Sequence, residues 1–144
     1  MSAERAAADA EGTMATLQDI MTRDVYTTGG DASVADVAEN MLKGRFGSAV
    51  IVDGAWIVGM FTERDVLRAA AAGTDPRAAL VTDWMTPDPV TASPDMDAEE
   101  AAEIMMTQGF RHLPVVDGTK LLGIVSLRDV LRVRIRRASG STER

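Results

Sequence analysis

The stretch GMFTERDVLR at residues 59–68 is followed, 64 positions later, by GIVSLRDVLR at residues 123–132. Aligning the chain with itself at this offset pairs residues 17–68 with residues 81–132 without a gap, and 19 of the 52 pairs are identical. Ordinary residue usage would give roughly three or four identities. A duplication of this kind predicts two copies of one supersecondary unit that stack on each other.

The hydrophobic periodicity changes in the same order in both copies. Apolar residues first recur at helical spacing, and two apolar runs separated by Asp53-Gly54 or Asp117-Gly118 follow. Helical spacing predicts an amphipathic helix, and Asp-Gly between two such runs predicts a hairpin. Each copy is therefore predicted to run short strand, helix, strand, strand, helix, which is an α+β fold. The helical stripes assigned to the core are Val34, Val37, Ala38, Met41 and Leu42, with Ala98, Ala101, Ala102, Met105 and Met106 in the second copy.

The helix starts, the linker and the termini complete the predicted organisation. Side-chain oxygens for the helix starts are expected from Asp31, Ser33, Asp95 and Asp97. A single unit of this size buries too little surface, so the copies should pack about a pseudo-two-fold axis with ligand clefts between them. The apolar stripes exceed what one small core absorbs, which predicts a homodimer. The predicted divisions are a disordered segment 1–15, unit 16–72, linker 73–79, unit 80–134 and a basic, flexible tail 135–144.

Composition excludes several classes of function. The chain contains no cysteine and only one histidine, so neither a disulfide nor a structural zinc site is expected. No apolar run approaches the roughly 20 residues that span a bilayer, and the N-terminal residues lack the apolar core of a secretion signal, which predicts a cytoplasmic protein without membrane attachment. No catalytic residues and no glycine-rich phosphate loop are recognisable, so we do not expect an enzyme.

The basic stretch RVRIRRASGSTER at residues 132–144 closes a chain whose net charge is −7. Arginines are favoured at the negative end of a helix dipole, which is one explanation of the stretch. A contact with a partner or with nucleic acid is the other. Because the body is acidic and phosphate contacts need a basic patch, nucleic-acid binding is not expected.

The motifs together resemble a tandem pair of cystathionine-β-synthase (CBS) domains over about residues 16–134. The resemblance rests on the segments MTRDVYTT, AVIVDGAWIVGMFTERDVLR, MTPDPVTA and RHLPVVDGTKLLGIVSLRDVLR. It implies β-α-β-β-α units and a regulatory module that binds AMP, ADP, ATP or S-adenosylmethionine without a covalent cofactor. Any regulated effector is expected to be a separate polypeptide.

The repeated Thr/Ser-x-x-Asp motif is the main candidate for nucleotide contact. Thr62 and Ser126 stand where a strand meets a helix, and a hydroxyl there can donate to a phosphate at the positive helix end. Asp65 and Asp129, one turn later, can accept from two ribose hydroxyls, and the resemblance implies the same roles. The alternative is a capping box, in which the acid accepts from a backbone N–H. Both roles can coexist.

Six further residues are candidates, each with a structural alternative. Arg111 and His112 suit a phosphate, although a lone histidine also fits a core or strand end. Arg64 and Arg128 are phosphate contacts or solvated first-turn residues. The resemblance places Thr27 and Thr91 at the adenine pocket, although β propensity explains them as well. Since the first copy has Gly47-Ser48 where the second has Arg111-His112, the two clefts should not be equivalent. Two rival functions are a dimerisation module with vestigial clefts and a nucleic-acid-associated regulator that acts through the arginine-rich tail.

Overall fold

The computed structural model describes residues 15–142, which form an α+β fold. The N-terminal segment predicted to be disordered lies outside these residues, apart from Ala15. The helices are α1 Leu17–Ile20, α2 Val34–Gly44, α3 Glu63–Ala71, α4 Val81–Trp84, α5 Ala98–Gln108 and α6 Leu127–Thr142. The strands are β1 Thr27–Gly29, β2 Ser48–Asp53, β3 Trp56–Thr62, β4 Thr86–Pro87, β5 His112–Asp117 and β6 Lys120–Ser126.

One compact unit consists of Asp24–Val90 and contains a four-stranded sheet in the order β1-β2-β3-β4. β1 is parallel to β2, whereas β2 with β3 and β3 with β4 are antiparallel. A buried cluster around Phe61, Ile51 and Val37 forms its core. The unit confirms the predicted order of strand, helix, strand, strand and helix, and adds α4 and β4, which were not predicted.

Among the described residues, the other compact unit combines residues 15–23 with residues 91–142. Its sheet is the antiparallel pair β5-β6, extended by single bridges of Ala92 to Val115 and of Thr22 to Ile124. The predicted short first strand of the second copy is therefore reduced to one bridging residue. Leu17, Leu113 and Met105 lie in the buried cluster that forms this unit's core.

The sequence repeats and the compact units are different divisions of the chain. The segment that begins the second repeat, with α4 and β4, pairs with β3 of the first repeat. The segment that begins the first repeat, with α1 and Thr22, pairs with β6 of the second repeat, where Thr22 and Ile124 exchange hydrogen bonds of 2.8 and 2.9 Å. Each unit is thus completed by a segment from the other repeat.

The two hairpins form as the Asp-Gly pairs predict. β2 and β3 pair out to Asp53 and Trp56, and β5 and β6 pair out to Asp117 and Lys120, so each loop has two residues. Gly54 and Gly118, the first residues of these loops, have φ of 61° and 63°. That positive φ is open to glycine and disfavoured for residues with a Cβ atom.

The helical stripes are buried, apart from the half-buried Ala38 and one exposed residue in each copy. Met41 and Met105 are buried, as are most of the other residues assigned to the core. Leu42 and Met106, at equivalent positions, are instead 82% and 71% exposed. Their assignment to the core was wrong, because each unit packs a stripe narrower than the apolar pattern of its helix.

The helix starts follow the prediction only in part. Ser33 is the N-cap of α2, and its Oγ accepts a hydrogen bond of 3.0 Å from the N–H of Asp36. Asp97 is the N-cap of α5, but its side chain makes no capping hydrogen bond, so this part of the prediction was wrong. Asp31 and Asp95 each lie two residues before the N-cap residue, which is Ser33 in α2 and Asp97 in α5. The backbone of residues 135–142 continues α6 through much of the predicted tail.

Candidate functional site

The junction of β3 with α3 holds the first candidate pair. Thr62 is the N-cap of α3, and Asp65 lies in its first turn with 6% of its surface exposed. One carboxylate oxygen of Asp65, Oδ2, accepts from the Thr62 N–H at 2.9 Å and from the Thr62 hydroxyl at 3.4 Å. These hydrogen bonds from Thr62 hold the Asp65 carboxylate in a buried position at the start of the helix.

The junction of β6 with α6 holds the second candidate pair in the same arrangement. Asp129 Oδ2 accepts from the Ser126 N–H at 3.0 Å, and the Ser126 Oγ accepts from the Asp129 N–H at 3.1 Å. This is a reciprocal capping box. The carboxylate and hydroxyl that were predicted to contact a nucleotide are therefore adjacent in both copies.

The capping role of the repeated motif is confirmed by these bonds. Thr16 and Asp19 make the same contact at the start of the short helix α1, where the Asp19 Oδ2 accepts from the Thr16 N–H at 3.1 Å. Capping therefore does not by itself distinguish a ligand site from an ordinary helix start. Contact of Asp65 and Asp129 with a nucleotide stays a prediction.

Arg111 and His112 lie beside the second junction. His112 begins β5 and pairs directly across the hairpin with Ser126. The Arg111 carbonyl accepts from the N–H of Leu127, the first residue of α6, at 2.9 Å. The structure thus brings both residues to the strand end that carries Ser126. In the first copy the corresponding neighbour of Thr62 is Ser48.

The remaining candidates lie around the two junctions with fewer contacts. Arg64 and Arg128 are exposed in the first turns of α3 and α6. Thr27 begins β1 and pairs with Val50, on the opposite side of β2 from β3. Thr91 is exposed and directly precedes the bridging residue Ala92. None of these positions decides between nucleotide contact and the structural alternative.

Two residues at the first junction were missed from the sequence. Arg68 donates to the second carboxylate oxygen of Asp65, Oδ1, at 2.9 Å. The Arg68 guanidinium carbon also lies 5.7 Å from the ring centroid of Trp84. The spacing of three residues between Asp65 and Arg68 is a signal for an ion pair on a helix. No sequence signal indicates Trp84, because it reaches Arg68 from a separate helix, α4.

Within residues 15–142, no helix combines the length and the apolar character that a bilayer crossing requires. In the same part of the chain, no three His, Asp or Glu side chains cluster in a way that could hold a metal ion.

Two α+β repeats, each with a capped carboxylate where its last strand meets its last helix, define the class of tandem regulatory domains that the sequence resembles. The family model of the CBS domain matches the chain twice, over residues 17–72 and 81–136. The chain belongs to the CBS domain family, and the resemblance drawn from its motifs is confirmed.

Three known proteins illustrate the similarity. The CBS domain-containing protein YhcV of Bacillus subtilis is 33% identical over 118 residues, which cover 81% of this chain and 84% of YhcV. A putative signal-transduction protein with CBS domains from Burkholderia ambifaria superposes with a TM-score of 0.80 at 30% identity, covering 85% of this chain and 95% of the other. The CBS domain pair of protein MJ0100, solved with 5′-methylthioadenosine and S-adenosyl-L-methionine, has a TM-score of 0.77 at 25% identity and covers 84% and 96%.

Proposed function

We propose that this chain is a regulatory module that binds an adenosine-containing ligand, namely AMP, ADP, ATP or S-adenosylmethionine. Binding is read out as a change in conformation or association rather than as catalysis. Membership of the CBS family and the adenosine-type ligands in the MJ0100 structure support the class of ligand. The proposal covers all four ligands, because no described side chain distinguishes a phosphate from a sulfonium group.

The observation that carries the proposal is the pair of carboxylates at the strand-to-helix junctions. Asp65 and Asp129 are drawn to the start of a helix by the backbone N–H of the cap residue. A carboxylate oxygen accepts two hydrogen bonds, so a capped carboxylate keeps the capacity to accept from ribose hydroxyls. The Ser126 hydroxyl accepts from the Asp129 N–H and can still donate its proton to a phosphate at the same helix end, whereas the Thr62 hydroxyl can do so by giving up its 3.4 Å bond to Asp65.

Titration calorimetry with AMP, ADP, ATP, S-adenosylmethionine and NAD tests the proposal. Saturation by at least one adenosine ligand at micromolar to low-millimolar concentration is the expected result. A ligand present at about 100 times its Kd should raise the free energy of unfolding by about 2.7 kcal/mol, which a thermal shift resolves. Flat titrations with all five ligands at millimolar concentration would reject the ligand-binding regulatory module and leave a structural dimerisation module.

A homodimer joined through the helices is the second part of the proposal. α2 and α3 pack together and expose Leu42 and Leu67, while α5 and α6 pack together and expose Met106 and Leu131. The two pairs occupy equivalent positions of the repeat, so the partner that fits both is a second copy with the same duplicated pattern. Burying such side chains in an interface would be favourable, because each removes apolar surface from water.

Sedimentation velocity at tens of micromolar tests the dimer. The wild type should sediment as a dimer, and Leu42→Glu combined with Met106→Glu should give a folded monomer, because both side chains are exposed within their units. Trp56→Glu is the matched control, since Trp56 is 66% exposed but lies at a hairpin rather than on these helices. A monomeric wild type, or a double variant that remains dimeric, would contradict the proposal.

A further inference from the structure

The two repeated aspartates are held differently. Asp65 Oδ1 accepts from Arg68 Nη1 at 2.9 Å, so both oxygens of this carboxylate are hydrogen-bonded. The equivalent pair in the second copy, Asp129 Oδ1 and Arg132 Nη1, is separated by 3.9 Å, beyond hydrogen-bonding distance. The Asp129 side chain is also more accessible, at 20% exposure against 9% for Asp65. The Oδ1 atom of Asp65 is therefore occupied by a hydrogen bond from an arginine, whereas the Oδ1 atom of Asp129 has no such bond from Arg132.

Arg68 has a second contact, with Trp84, that accompanies its bond to Asp65. The Arg68 guanidinium lies over the Trp84 ring, 5.7 Å from its centroid, and Arg68 Nη1 is 3.5 Å from the Trp84 carbonyl oxygen. Cation–π contact adds attraction to the ion pair and limits the rotamers of the arginine. The residue at the equivalent position of the other repeat is Ile20, 64 positions earlier, which offers no aromatic face. Arg132 consequently lacks the second support that fixes Arg68.

We infer that Arg68, held by Trp84, makes the two repeats unequal in ligand binding, so that Asp129 is the ribose acceptor of the tighter site. This inference rests on the proposed function. At the first junction, ribose hydroxyls must share or displace the Arg68 bond to reach Asp65 Oδ1. The negative charge of the Asp65 carboxylate is also already neutralised by the Arg68 guanidinium. At the second junction, Asp129 Oδ1 accepts them without displacing a hydrogen bond among the described residues. Arg68 is a positioning residue that sets the weaker site.

Calorimetry with AMP and S-adenosylmethionine as probes tests the assignment of the tighter site. Asp129→Asn should weaken that site about tenfold or more, whereas Asp65→Asn should leave it within about twofold. Asparagine retains an oxygen that can accept from the cap N–H, so the helix starts survive. As a control, 2′,3′-dideoxy-AMP should bind wild type more weakly than AMP does, and Asp129→Asn should remove most of this preference. A larger loss from Asp65→Asn, or equal losses, would overturn the assignment.

The number of ligands bound per chain tests the role of Arg68. Wild type should bind one probe molecule tightly and a second at least about tenfold more weakly. Arg68→Met, a change at a side chain that is 56% exposed, should bring the two affinities together, and Trp84→Ile should act in the same direction. Arg132→Met is the matched control and should not tighten the weaker site. The thermal unfolding of each variant verifies that it is folded.

The outcomes separate this inference from the proposed function. Two equal sites in wild type, or an Arg68→Met variant with unchanged affinities, would reject the inference while the module still binds its ligand. Flat titrations of both wild type and Arg68→Met would reject the proposed function and the inference together. Thermal unfolding adds a ligand-free result: Arg68→Met should lower Tm more than Arg132→Met, and equal effects would refute the special hold on Arg68.

Discussion

The two repeats have a glycine at the equivalent position, Gly59 and Gly123, and each glycine faces a segment of the other repeat. The atoms that lie against the two glycines differ. A Cβ atom added at Gly123 would lie 2.7 Å from the Thr22 carbonyl oxygen and 2.8 Å from the Met21 sulfur. A Cβ atom added at Gly59 would collide only with the side chain of Met85. A flexible methionine can move aside, whereas a backbone carbonyl held in a bridge cannot. The two repeats therefore share this glycine position but differ in what faces it, a side chain at Gly59 and a backbone carbonyl together with a side chain at Gly123.

Alanine substitution at these two glycines should give the largest difference between the repeats. Gly123→Ala forces the bridge between Thr22 and Ile124 apart and should cost about 2–3 kcal/mol of unfolding free energy, the upper range for overpacked cores. Gly59→Ala should cost about 1 kcal/mol, because Met85 can adopt another rotamer. Urea unfolding of both variants measures the difference. Equal losses of unfolding free energy would show that the Thr22–Ile124 bridge adjusts to an added methyl group as easily as the Met85 side chain does.

Replacing both repeated aspartates should remove about half of the ligand-induced stabilisation while leaving the helix starts in place. In Asp65→Asn with Asp129→Asn, a tenfold loss of affinity would remove about 1.4 kcal/mol of the stabilisation that a saturating adenosine ligand gives wild type. Loss of the carboxylate caps alone should cost about 0.5–1 kcal/mol per site in the absence of ligand. Thermal shifts with and without ligand separate the two effects. An unchanged ligand shift would reduce the motif to a helix start.

The ends of the two equivalent helices α2 and α5 offer a reciprocal exchange. Arg45 and Gly109 both follow their helix in the left-handed region, with φ of 59° and 80°. Glycine adopts this conformation freely, whereas a residue with a Cβ atom is strained there. Arg45→Gly should therefore stabilise the protein by about 0.5–1 kcal/mol, and Gly109→Arg should destabilise it by a similar amount. Chemical denaturation of the two variants should give changes of opposite sign.

The arginines after the second repeat should have the smallest effect on binding. Copy one ends its last helix at Ala71, whereas copy two continues to Thr142 through a basic stretch. Two of these arginines face carboxylates, since Arg134 pairs with Glu99 and Arg132 lies near Asp129. We expect weak or no duplex DNA binding at physiological salt, because the arginines of this stretch can offer at most a few phosphate contacts and the rest of the chain is acidic. Submicromolar, salt-sensitive binding that is lost on truncation after Arg132 would contradict this.

Local sequence signals predicted most of the repeated architecture. The Asp-Gly pairs, the helical spacing and the Thr/Ser-x-x-Asp motif all involve residues within a few positions of one another, so their geometry follows from backbone preference. The sequence predicted the hairpins, the main helices and the capped carboxylates on this basis. It also predicted unequal sites from the replacement of Arg111-His112 by Gly47-Ser48, a difference distinct from the one that Arg68 makes.

Tertiary structure decided what depends on where distant segments return. The sequence gives no sign that α4 completes the compact unit Asp24–Val90, or that Trp84 contacts Arg68 from 16 positions away in the chain. An apolar stripe also does not indicate how much of it the unit will bury. For this reason the pattern assigned Leu42 and Met106 to the core, whereas the structure exposes them. Periodicity fixes which face of a helix is apolar, because it reflects the backbone. Which residues contact that face depends on packing between segments far apart in the chain. In this protein such packing gives Asp65 a hydrogen bond from an arginine that contacts Trp84, and Asp129 has no equivalent bond.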